Sequence, residues 1–154
     1  MAVRRSPKPL VGVRFPPPEP NQMKKIFVNG TFDIVHRGHV QMLNYARGLG
    51  DYLLVAIDTD ARVQQLKGST RPINSLEDRM FLLNNLRAVD QVVSFDSDQE
   101  LSSIIKQYAP DVMVKGSDYI ARDIIGAEHC ASIEYFQLVN GYSTTQKIQD
   151  IVSR

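Results

Sequence analysis

The sequence predicts an α/β fold: one doubly wound parallel sheet of about five strands flanked by helices. Two observations carry this expectation. From Lys24 onward short apolar runs alternate with helical patterns, which is how βαβ units building a parallel sheet are written. The chain of 154 residues, 43% hydrophobic and 23% charged, also has the profile of a single domain with one continuous core.

In chain order, residues 1–22 carry Arg4, Arg5, Lys8 and Arg14 against Glu19 alone, with prolines at 7, 9, 16, 17, 18 and 20. Such a stretch is expected to be a disordered, Pro-rich basic tail, because proline removes backbone donors and fixes φ. The dense prolines make it a poor amphipathic targeting helix. Met23 stands directly before Lys24–Val28, so the tail is expected to be dispensable and the folded domain to span 23–154. The first strand is expected at Ile26–Val28. Val40–Leu49 follows as a helix, with Val40, Leu43, Ala46 and Leu49 toward one side. Next come a strand at Tyr52–Ile57 and a helix at Leu76–Leu86, with Leu76, Met80 and Leu83 on its apolar face. A strand at Gln91–Phe95 precedes a helix at Leu101–Tyr108 striped by Leu101, Ile104, Ile105 and Tyr108. Strands at Asp111–Val114 and Ile133–Val139 complete the sheet. A last helix starts after Gly141, where Ser143 and Gln146 have the spacing of a capping box. Right-handed crossovers then wind these units into a Rossmann-like sheet, whose ligand crevice lies beyond the carboxyl ends of the strands.

Composition narrows the partners. A formal net charge of +1 argues against nucleic acid or an anionic membrane, which select a marked basic excess. Cys130 is the only cysteine, so there is no internal disulfide and no multi-cysteine zinc site, and a reducing cytoplasm is the expected setting. No stretch approaches the roughly 20 apolar residues of a membrane span, and an apolar secretory h-region is lacking. The protein is expected to be neither exported nor inserted. A small-molecule ligand fits best.

The first strand exit, Asn29-Gly30-Thr31-Phe32-Asp33-Ile34-Val35-His36-Arg37-Gly38-His39, carries the chemistry. His36 and His39, three residues apart at a helix start, share one face, and Gly38 between them lets a bulky group approach the backbone. Unsatisfied N–H groups of the first turn favour a phosphate there, and protonatable imidazoles would add donors. Gly30 permits positive φ or close approach of a phosphate, while Thr31 and Phe32 offer backbone donors and a wall. The same pair with Asp33 could, taken alone, be a fortuitous surface cluster or a weak metal site, although no cysteine partner exists and His129 lies far along the chain. Neither G-x-G-x-x-G nor a P-loop is present.

Gly30-Thr31-Phe32-Asp33 followed by His36, Gly38 and His39 resembles the signature of the cytidylyltransferase-like nucleotidyltransferase superfamily. The similarity continues through Gly50–Leu53, Asp58–Asp60, Leu66–Gly68, Arg71–Asn74, Asp78–Met80, Pro110–Val112, Lys115–Tyr119, Ile125–Ala127 and Gly141–Thr145. Within the superfamily this set is similar to the adenylyltransferase domain acting on D-glycero-β-D-manno-heptose 1-phosphate, a step toward ADP-heptose for the lipopolysaccharide core. Glycerol-3-phosphate cytidylyltransferases share the first and last motifs but match the middle less well. The chain departs from the family's usual pattern at Thr31 and Ser117, and Glu128–Glu134 lacks a pair of glycines.

The resemblance implies an NTP, ATP before CTP, with Mg2+ accompanying it, and a sugar or polyol phosphate as acceptor. It implies catalysis by His36 and His39, and nucleotide contacts from Gly30, Thr31, Phe32, Asp33, Gly38, Lys115, Gly116, Asp118, Gly141, Tyr142, Ser143, Thr144 and Thr145. Ser143 to Thr145 could equally be helix capping, and Lys115 to Asp118 an ordinary strand-to-turn segment. Lys67 and Arg71 suit an acceptor phosphate, with surface solvation as the competing account. Arg79 could serve the same phosphate or join Glu77 and Asp78 in a surface ion network. Asp58 and Asp60 could receive sugar hydroxyls or cap the next helix. No dedicated carboxylate cage for a metal is expected. Related enzymes are commonly homo-oligomers, and a separate sugar kinase could supply the acceptor. A catalytically idle nucleotide-binding module is the alternative from another class.

Overall fold

The computed structural model describes residues 23–154; the expected tail, 1–22, lies outside them. Five strands, β1 (Lys25–Gly30), β2 (Tyr52–Asp58), β3 (Gln91–Phe95), β4 (Val112–Gly116) and β5 (Ser132–Phe136), form one sheet in the order β3-β2-β1-β4-β5. Every pairing is parallel, as crossover connections require. The helices are α1 (Arg37–Gly48), α2 (Asp60–Lys67), α3 (Leu76–Asn84), α4 (Asp98–Tyr108) and α5 (Thr144–Val152).

Side chains that alternate along a strand reach opposite faces, and the two cores follow that rule. Ile26 and Val28, Leu53, Val55 and Ile57, and Val112 and Val114 pack with Leu43 and Ala46 of α1 and Met80 and Leu83 of α3. Phe27, Leu54, Ala56 and Met113 pack on the other face with Leu101, Ile105 and Tyr108 of α4. The Tyr108 hydroxyl donates to the Ile26 carbonyl at 3.1 Å, which satisfies a polar group inside an apolar layer.

Several boundaries moved. α1 begins at Arg37 rather than Val40, and α4 at Asp98 rather than Leu101, because His36 and Ser97 cap them a turn ahead of the apolar stripe. β4 extends to Gly116, so Lys115 and Gly116 belong to the strand rather than following it. β5 stops at Phe136 instead of Val139, since the Leu138 N–H leaves the ladder and donates to Ser117 Oγ at 3.3 Å. α2 buries Val63 alone, so it has no apolar stripe by which periodicity would mark it.

Candidate active site

The carboxyl ends of β1, β2 and β4 open onto one crevice with two adjoining lobes, of about 370 and 510 Å³. Asn29 to Phe32, His39, Lys67, Lys115, Asp118, Tyr119 and Thr144 border both. β1 occupies the middle of the sheet, and the crevice sits where the strand order reverses, as expected for ligand sites in open α/β sheets.

His36 is the N-cap of α1, and its Nδ1 accepts from the His39 N–H at 3.4 Å while the His36 N–H donates to His39 Nδ1 at 3.3 Å. Imidazoles therefore fill both positions of a capping box. The rings stack with centroids 3.8 Å apart and 17° between planes. Burial, then the His36 ring, pushes His39 down to about 4, helped by Lys67 and opposed by a hydrogen bond with the Ile34 backbone. Burial and then Lys147 lower His36 as well. Both rings are neutral at pH 7. With each Nδ1 accepting a backbone N–H, this assigns the ring proton to Nε2. The two rings thus stand neutral at the crevice, whereas the sequence alone suggests imidazolium.

Two glycines make this packing possible. A Cβ on Gly38 would lie 3.0 Å from His36 Cε1 and 3.2 Å from Tyr142 Cβ. A Cβ on Gly30 would lie 3.0 Å from Cε2 of Phe32. Phe32 itself has φ 51°, a left-handed value costly for a large side chain, and its buried ring meets His39 at 4.9 Å.

Lys115 enters from the end of β4. Its Nζ donates to Asn29 Oδ1 at 2.7 Å and lies 4.6 Å over the Tyr119 ring. Burial lowers its pKa to about 8, against the raising influence of Asp58 and Asp118. Opposite, Ser143 caps α5, its Oγ accepting from the Gln146 N–H at 3.0 Å. The Gln146 side chain turns to Asp150 instead of back to Ser143, so half of the expected capping box forms. Tyr142, Ser143 and Thr145 line the first lobe with His36 and Gly38, and Gly116 joins them from β4. Gly141, at φ 83°, is a turn residue bordering neither lobe.

Several sequence expectations need correction. Asp33 does not face the crevice: it is 1% exposed, and its carboxylate accepts from the Ile73 and Asn74 N–H groups at 2.8 Å each. Arg79 is fully buried, donating to the carbonyls of Asn74, Thr31 and Asp58 and to the Asp60 carboxylate. It is no surface ion network and has no nitrogen left for an acceptor phosphate. Asp60 gives one oxygen to that ion pair at 2.7 Å and, with Arg71, borders neither lobe. Thr59, rather than Asp58 or Asp60, caps α2. Asp33 and Arg79 together pin the β1 exit and the loop before α3 to each other.

Lys67 borders both lobes and Asp58 the second. The departures from the family pattern also acquire roles. Thr31 Oγ1 donates to Asp58 Oδ2 at 3.2 Å, and Ser117 holds the chain leaving β5. Sequence reasoning missed Arg62, which lines the second lobe; its i,i+4 spacing from Asp58 was the available signal. Among the described residues no three His, Cys, Asp or Glu side chains group to hold a metal ion, and no helix is long and apolar enough to cross a membrane.

A family model described as cytidylyltransferase-like matches residues 27–150. The chain belongs to that family. Among curated proteins, the cytidylyltransferase-like chain is 44% identical over 133 residues to the bifunctional protein HldE of Helicobacter pylori strain G27, covering 86% of this chain and 28% of that protein. It is 47% identical over 128 residues to the bifunctional protein HldE of Campylobacter concisus strain 13826, covering 83% and 27%. The chain therefore spans under a third of the length of these relatives. A solved structure, the lipopolysaccharide core biosynthesis protein of Thermoplasma volcanium, superposes with a TM-score of 0.61 at 22% identity, covering 79% of this chain and 100% of that one. That likeness establishes the shared Rossmann-like fold. By family, the cytidylyltransferase-like chain is a nucleotidyltransferase.

Proposed function

We propose that the chain transfers AMP from ATP to the phosphate of a sugar 1-phosphate, with D-glycero-β-D-manno-heptose 1-phosphate as acceptor and ADP-heptose and pyrophosphate as products. The supporting observation is a crevice divided along a cationic seam. Lys67 and Lys115 border both lobes, with the neutral His39 ring beside them. His36 and the start of α5 face the first lobe, which suits a triphosphate, since unsatisfied helix N–H groups and ring donors converge there. Asp58 and Asp123 border the second lobe alone, where carboxylates suit hydroxyls rather than phosphate.

In this reading, an oxygen of the acceptor phosphate attacks the α-phosphorus, a P–O bond forms, and the bond to the β-phosphate breaks with its electron pair leaving on pyrophosphate. The attacking oxygen is already anionic near neutral pH, so no strong base and no covalent enzyme intermediate are needed. The Nε2–H groups of His36 and His39 and the dipole of α1 stabilise charge on the transferred group. Magnesium arrives with the NTP as part of the substrate, held by phosphate oxygens and water.

The long match to HldE proteins favours ATP and a heptose phosphate over CTP and glycerol phosphate. The same reading expects a cytoplasmic homo-oligomer fed by a sugar kinase. The test is a matrix of ATP and CTP against heptose 1-phosphate and glycerol 3-phosphate, following pyrophosphate. ATP with heptose 1-phosphate should be fastest. A faster reaction with CTP and glycerol 3-phosphate overturns the substrate assignment, and no pyrophosphate from any pair overturns catalysis itself.

A further inference from the structure

We propose that Arg62, braced by Asp58, reads the hydroxyl groups of the acceptor in the second lobe and so determines which phosphorylated polyol is used; the proposal rests on the adenylyl-transfer reading above. Arg62 lies in the first turn of α2, and its side chain is 14% exposed. Its Nε donates to Asp58 Oδ1 at 2.8 Å, its Nη2 to Asp98 at the start of α4, and its guanidinium lies 5.2 Å over the Phe95 ring. Three separate elements fix one planar group at the wall of the lobe. Among the described residues Nη1 has no hydrogen-bond partner. A donor fixed before the ligand arrives loses little entropy on binding.

Charge selects the kind of ligand. Two carboxylates flank the single guanidinium, so this wall carries no surplus positive charge and does not compete with the Lys67 and Lys115 seam for phosphate. A neutral hydroxyl meets a donor in Arg62 and an acceptor in Asp58, whose Oδ2 among the described residues accepts from the Thr31 hydroxyl alone, at 3.2 Å, and keeps further lone pairs. Phe95, Leu101 and Ile124 line the same lobe and offer apolar surface to the C–H face of a sugar. A phosphate on the seam would place a sugar body against this wall. The rival account is that Arg62 merely clips α2 to α4.

The test is steady-state kinetics of the full chain with ATP, varying heptose 1-phosphate and glycerol 3-phosphate, for Arg62→Gln, Arg62→Lys and Asp58→Asn, with thermal midpoints alongside. Each variant should raise the KM for heptose 1-phosphate about tenfold or more, as expected when a site built to bond a hydroxyl loses its partner. The KM for ATP should stay within about twofold, and the preference for heptose over glycerol phosphate should shrink. Arg62→Lys keeps the charge over Phe95 and supplies the readout in a folded protein should the glutamine variant unfold. If the variants lower only the midpoint, or move the KM of both substrates together, Arg62 is a clip and the assignment is overturned. If the wild-type chain releases no pyrophosphate with any phosphorylated polyol, the adenylyl-transfer reading falls and this assignment with it.

Discussion

Gly38→Ala should separate stability from catalysis, because the effects of one methyl group cancel in the first and not in the second. The added Cβ would sit 3.0 Å from His36 Cε1, 3.1 Å from its Nδ1 and 3.2 Å from Tyr142 Cβ. Ordinary carbon contacts begin near 3.5 Å, so the ring must retreat by roughly half an ångström. The His39 N–H to His36 Nδ1 bond is already 3.4 Å long and does not survive that retreat. Losing this cap costs about 1 kcal/mol. Alanine in place of glycine inside a helix returns up to about 1 kcal/mol. The two offset, and the thermal midpoint should barely move. Catalysis has no such offset. Rotating His36 swings its Nε2 away from the first lobe, and displacements of this order cost about 10- to 100-fold in rate. Pyrophosphate release measures the rate, and a thermal melt measures stability. Turnover within twofold of wild type, with an unchanged midpoint, would refute the claim that this ring position matters; lost turnover accompanied by unfolding would refute the offset.

Other expectations are more direct. His39→Ala should lower kcat by about 10²–10³, the usual loss for one donor to a transition-state oxyanion, and near-normal turnover would remove the residue from the chemistry. Lys115 has its pKa lowered by burial to about 8, so its charge is present at neutral pH and lost as pH rises through 8. The kcat/KM for ATP should fall on that limb, and Lys115→Arg, which stays charged, should move the limb to higher pH; an identical alkaline limb in the variant contradicts a phosphate contact. Arg79→Leu leaves three backbone carbonyls and the Asp60 carboxylate without their donor and should destabilise by about 3–5 kcal/mol. Denaturant titration reads that loss, and a shift under about 1 kcal/mol would show that water replaces the guanidinium readily.

The sheet was legible because each strand declares itself twice, as an apolar run and through the helical pattern beside it. Val112 to Val114 and Leu53 to Ile57 are continuous apolar runs of the kind that only strands covered on both faces carry. α2 escaped periodicity because a helix that buries Val63 alone owes its place to Thr59 and Arg62, which are polar. Within the site, residues clustered in sequence at the strand exit and the last helix start came together as expected: His36, His39, Lys115 and Ser143 to Thr145 meet in one lobe. Asp33 and Arg79 did not, for a common reason. Both carry the charge that a phosphate or metal site would want, yet their partners are mostly backbone groups of Asn74, Ile73, Thr31 and Asp58, with the Asp60 carboxylate on Arg79 besides. A bond between a carboxylate and an amide 40 residues away leaves no trace in residue type. Arg62 was hidden by the opposite circumstance, a short-range pair that reads as ordinary helix charge until Phe95 and Asp98 arrive from elsewhere in the chain.

The placement of β1 in the middle of the sheet has an evolutionary consequence. One lobe draws on α1, β4, β5 and α5, the other on β2, β3 and α2, and the two share the β1 exit together with His39, Lys67, Lys115, Asp118, Tyr119 and Thr144. Substitutions at residues that border one lobe alone, such as Asp58 and Arg62 or Tyr142 and Ser143, leave the lining of the other unchanged. On the adenylyl-transfer reading proposed above, a lineage can exchange the molecule it modifies while inheriting the nucleotide-handling lobe, and the wall formed by Asp58 and Arg62 is where descendants of such a chain should diverge first.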